Sequence, residues 1–130
     1  MTTFIGRGPG TSPTTDFFPF SAALASSPVI NIAATSATAG GTTIHVADAR
    51  AYDIPIIYVA NVGSTSNVVA FLQMGSTATT QSIPITIATS SYAIIQPGTP
   101  ISGSGTIGIW CSASGVVAYG GVTRTYTASA

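Results

Sequence analysis

Apolar residues in this chain recur at every second position in short runs, and no segment sustains the 3.6-residue rhythm of a helix. Gly, Pro, Ser and Thr break the runs at regular intervals. Val29–Ile32, Thr42–Val46, Ile54–Val62, Asn67–Met74, Ile83–Ile87, Tyr92–Gln96, Thr106–Ser112, Val116–Gly120 and Thr123–Thr127 each read as a strand. Gly63–Ser66 and Ser114–Gly115 read as turns, and each predicts a hairpin between the strands it joins. Ala47–Asp53 holds most of the mid-chain charge and reads as a loop. Eight or nine short strands spaced about 8 to 14 residues apart predict an all-β, antiparallel β-sandwich. Longer links after every second strand favour a jelly-roll-like arrangement. No fixed repeat argues for a propeller or β-helix.

The charge pattern narrows the function classes. Among 130 residues there are three Arg, three Asp, one His, and neither Lys nor Glu. Charged residues make up 5%, against roughly a quarter of an ordinary domain. The missing Glu and Lys remove the usual surface helix formers. A net charge of zero gives little repulsion between copies, which suits a protein docked in an assembly. Three scattered Arg cannot replace the counterions of a phosphate backbone, so nucleic acid is not an expected partner. No basic amphipathic helix predicts membrane binding, and no run approaches the roughly 20 apolar residues of a spanning helix. Met1–Arg7 lacks the pattern of a signal peptide, so synthesis and retention in the cytoplasm are expected until assembly.

The character of the chain changes near residue 28. Residues 1–27 contain Gly6, Gly8, Gly10, Pro9, Pro13 and Pro19, which break regular structure. They also hold four of the five Phe, and disordered tails normally lack aromatics. Two domains are expected: an extended Gly/Pro/Phe-containing N-terminal arm over 1–27 and a β-sandwich over 28–130. The arm either packs on its own domain or docks on a neighbouring subunit. Phe4, Ile5, Arg7, Phe17, Phe18 and Phe20 are the candidate partner contacts, and Arg7 and Asp16 could add pairing there.

Catalytic and metal chemistry find little support. His45 is the only histidine, with Asp48 three residues on, and neither has a nucleophile elbow near it. Ile101–Gly105 contains Gly-Ser-Gly without the helix an elbow needs. One His, one Cys and three Asp give no zinc spacing and no acidic calcium loop. Gly6–Gly10 has neither the strand nor the Lys of a phosphate loop. Cys111 lies in a strand and reads as a small buried residue. No enzyme, cofactor or metal is expected. Substitution of His45 is expected to leave an assembly role nearly unchanged and to abolish an enzymatic one.

The run of apolar strands from Ile57–Asn61 through Val68–Gly75, Ile83–Ile85 and Tyr92–Ile95 to Gly105–Ser112 resembles small β-sandwich virion proteins of tailed bacteriophages, especially capsid decoration (cement) proteins. The resemblance implies a homo-oligomer, dimer or trimer, on the exterior of an icosahedral head. It implies the major capsid protein or other virion proteins as partners, and a bridging role that resists internal pressure. A tail, collar or fibre component is the alternative in the same class. A carbohydrate- or surface-binding module is the alternative in another, and it predicts exposed aromatics clustered at one end of the sandwich.

Overall fold

The computed structural model describes residues 15–23, 26–36, 41–75 and 82–126. They contain nine strands and no helix: β1 (Thr15–Pro19), β2 (Ile30–Ile32), β3 (Thr42–Val46), β4 (Ala51–Asn61), β5 (Val68–Met74), β6 (Ile83–Ile87), β7 (Tyr92–Ile95), β8 (Thr106–Cys111) and β9 (Val116–Tyr126). All pairings are antiparallel, and the strands form two sheets. The first runs β1-β9-β4-β7, with β2 also on β9; the second runs β3-β8-β5-β6. The expected antiparallel sandwich is what the chain forms.

The long β4–β9 ladder runs from Ala51↔Tyr126 to Asn61↔Val116 and is the spine of the first sheet. Period-two alternation decides what each face carries. Ile57, Val59, Ala118 and Val122 point inward and are buried. They meet Ile44, Leu72, Ile107 and Ile109 from the second sheet in one apolar core.

Two expected hairpins do not form. β4 and β5 are joined by residues 62–67 but lie in different sheets, and so do β8 and β9. Both links cross between the sheets at the same end. There the amides of Val62 and Gly63 donate to Gly115 O at 2.9 and 3.0 Å. Cα of Gly63 would lie 2.9 Å from a Cβ on Gly115, so a side chain there has no room. Pairing is nested instead: β2 with β9, β3 with β8, β4 with β7 and β5 with β6.

The division at residue 28 also changes. Thr15–Pro19 pairs with Gly121–Thr125 as an edge strand, and an edge tolerates Pro19, which has no N–H to give. Phe20 is 1% exposed and fills its own core instead of contacting a neighbour. Gly120 makes this fit: it faces inward with φ +131°, and a Cβ there would meet Ile56 O at 2.2 Å and the Phe20 ring at 3.3 Å. Phe4, Ile5 and Arg7 lie outside the described residues.

Candidate functional site

Among the described residues, His45, Asp48, Asp53 and Arg124 gather at one end of the core. A β-bulge between Thr43 and His45 turns both Ile44 and His45 inward, so that each is buried. His45 Nε2 lies 2.7 Å from Asp53 Oδ2 across the gap between the sheets. Asp53 stands opposite Arg124 in the β4–β9 ladder. Arg124 donates from Nε to Oδ1 at 2.7 Å and from Nη2 to Oδ2 at 2.8 Å, the two-pronged geometry that suits a guanidinium and a carboxylate. The backbone of Asp53 exchanges both hydrogen bonds with Ile101. The Phe18 ring covers the guanidinium at 4.6 Å, and Asp48 lies 3.9 Å from it.

Burial opposes the charge on Asp53, but the Arg124 and His45 hydrogen bonds outweigh it and hold the carboxyl below the usual aspartate value. The Asp53 hydrogen bond raises the Arg124 guanidinium further above its ordinary range. Asp53 is therefore an ionised carboxylate.

The backbone N–H of Ser21 donates to His45 Nδ1 at 3.1 Å. This assigns the proton to Nε2, which donates to Asp53. Ser21 Oγ accepts from Val46 N at 2.9 Å, and Ala22 N donates to Ile44 O at 3.1 Å. The residues after β1 are thus tied to β3. Both ring nitrogens of His45 are occupied and the side chain is 1% exposed, so the geometry fits a clasp between sheets and leaves no open nitrogen for proton transfer. Sequence spacing set His45 beside Asp48; the partner is Asp53. Because His45 holds two sheets together, its substitution perturbs the fold and does not separate assembly from catalysis. Among the described residues no group of three or more His, Cys, Asp or Glu is arranged to hold a metal. Cys111 is buried, and burial pushes its thiol up to about 11.

The outer face of the first sheet is unlike that of an ordinary sandwich. Its outward positions include Phe17 on β1, Tyr52, Ile54, Ile56 and Tyr58 on β4, Tyr92 and Ile94 on β7, and Val117 and Tyr119 on β9. No charged side chain interrupts them: Asp16, Asp53 and Arg124 occupy inward positions. Phe17 and Tyr92 are each 62% exposed, Ile94 50%, Tyr52 48% and Tyr119 39%. Tyr58 and Tyr119, paired in the ladder, stack at 4.9 Å near the middle. Phe17 reaches sideways over Gly121, whose missing Cβ leaves the ring its place. The outer face of the second sheet carries a smaller apolar strip, where Phe71 and Trp110 stack at 3.9 Å.

Of the expected contact residues, Phe17 is on a surface, Phe18 packs on Arg124 and Phe20 is in the core. A shallow depression of about 350 Å³ is lined by Ala49, Arg50, Ala51, Tyr52, Ser102 and Gly103. No family model matches the chain, and neither a curated protein nor a solved structure is significantly similar to it.

Proposed function

We propose that this chain is a non-enzymatic structural virion protein that binds the outside of a phage capsid and stabilises it by bridging neighbouring shell subunits. One observation carries the reading: neither sheet has a charged residue on its outer face, and that of the first sheet is largely apolar, where a sandwich that works alone places polar residues. Such faces are stable in water when partners cover them. The nested strand pairing is read as jelly-roll winding, a fold that leaves both broad faces free for neighbours. The mechanism is binding alone. Each copy that bridges two shell subunits adds association free energy that must be lost before the shell opens.

The test is co-sedimentation of the purified chain with phage shells that lack it. Binding at a fixed copy number, with shells that then resist heat better, supports the reading. Chain that stays in the supernatant at every concentration removes it. Exposed Tyr52, Tyr92, Tyr119 and Phe17 favour a second reading, a carbohydrate-binding face, since flat aromatic surfaces stack on sugar rings. These residues spread along one face from Tyr52 at one end of β4 to Tyr92 beside Ala60 near the other, and are not gathered at one end of the sandwich. A glycan screen distinguishes the two readings.

A further inference from the structure

We infer that the outer face of the β1-β9-β4-β7 sheet is a homodimer interface, covered by the same face of a second copy around a two-fold axis. The inference deepens the assembly reading and rests on it only for the purpose of the dimer.

Area is the first argument. Phe17, Tyr52, Tyr92, Ile94 and Tyr119 each leave about half of the side chain in water. A large side chain of this kind offers roughly 150–250 Å², so the five together expose about 500 Å². Two copies would remove about 1,000 Å², the lower bound for a specific interface, before the half-buried Ile54, Ile56, Tyr58 and Val117 are added. The second sheet offers less, because Phe71 and Trp110 already cover one another.

Charge is the second argument. An isologous interface sets each residue near the axis against its own copy, so any charge there would face a like charge. This face has none, and the charged residues of β1, β4 and β9 are turned into the core. A partner that relied on salt bridges would find nothing to pair with. A second copy is uncharged over the same area and meets the condition without further assumption. The aromatic content matches what interface centres use, with the Tyr58–Tyr119 stack near the middle of the ladder as the anchor. Tyr52 and Tyr92 then form the rim, where their hydroxyls reach water.

The experiment is sedimentation equilibrium of the full chain without shells, with Ile94→Lys and Tyr119→Lys as interface variants and Thr86→Lys, on the outer face of β6, as the control. The expected result is a wild-type dimer and a dissociation constant raised about a hundredfold or more by either interface variant. The control should dimerise like wild type. Far-ultraviolet circular dichroism at equal concentration checks that each variant is folded. Ile94 lies on a short edge strand outside the Tyr stack, so its variant remains informative if Tyr119→Lys misfolds. A wild-type monomer, a trimer, or dissociation by Thr86→Lys alone overturns the inference. None of these outcomes depends on shell binding, so a dimer that ignores shells would remove the capsid reading and leave the interface standing.

Discussion

Replacing Asp53 by Asn tests the clasp directly. Asn keeps the shape and one acceptor oxygen but removes the charge. Arg124, 14% exposed under the Phe18 ring, then loses its two-pronged carboxylate partner and keeps its positive charge with only the partly exposed Asp48, 3.9 Å away, beside it. Removing one partner of a buried pair typically destabilises by about 3–5 kcal/mol, since the remaining charge is still desolvated. For 130 residues, an unfolding entropy of roughly 2.1 cal/mol/K per residue gives about 0.27 kcal/mol/K. Asp53→Asn should therefore lower Tm by about 11–18 °C. The assay is thermal unfolding by circular dichroism, with urea unfolding to confirm the free energy. A double variant, Asp53→Leu with Arg124→Met, removes both charges and should recover a substantial part of the loss. A single variant within about 1 kcal/mol of wild type would refute the reasoning, as would a double variant no better than the sum of the singles.

Three further outcomes follow from the same contacts. Asp53 is depressed below its ordinary value of 3.8, so its contribution to stability is complete above that pH and is lost as pH falls through the folded-state value; the gap between wild type and Asp53→Asn in urea should be constant above about pH 5 and shrink in strong acid. Phe20→Ala should cost about 3–5 kcal/mol, measured by urea unfolding, because it empties the space between Gly120 and the His45 ring, whereas Phe17→Ala on the surface should cost under about 1 kcal/mol. With its thiol near 11 and no exposed surface, Cys111 should be under about one part in a thousand thiolate at pH 7.5, and should react with a thiol reagent only in denaturant, which absorbance at the reagent's release band would follow.

Most strands were legible because alternation survives wherever one face is buried. Thr42–Val46 and Ile83–Ile87 have the bounds their spacing predicts. The errors have physical causes. β4 begins at Ala51, three residues before the apolar run, because Asp53 is an inward residue paired with Arg124 and hydrogen-bonded to His45. Extending the alternation of Val59, Ile57 and Pro55 backward would have placed Asp53 inside, and the same step from Val122 would have placed Arg124. β9 continues across Gly121 and Val122, which read as a gap between two strands; Gly120 and Gly121 are required there by the approach of Phe20 and Phe17. β1 was hidden by its Pro residue, which an edge strand accepts. The two failed hairpins show the limit of local reading: a short Gly-containing link fits a return within one sheet and a crossing between two equally well, and only pairing partners far along the chain decide between them. The apolar outer face was legible in part, since Tyr58, Tyr92 and Tyr119 fall within predicted strands, but their common side depends on sheet order.

The position of β9 has a consequence for how the protein comes into being. It lies between β4 on one side and β1 and β2 on the other, and all three are synthesised before it. At about 5–20 residues per second, the roughly 55 residues from Asn61 to Val116 take about 3–11 s to make. During that interval β1, β2 and one edge of β4 have no strand to pair with, and the Tyr and Ile residues of the broad face are open to other nascent chains. Pairing over such sequence distances is also slow, on the order of milliseconds to seconds. The hazard peaks before the last strand arrives, so the demand on chaperones is set by the order in which the strands are made as much as by the stability of the finished sandwich.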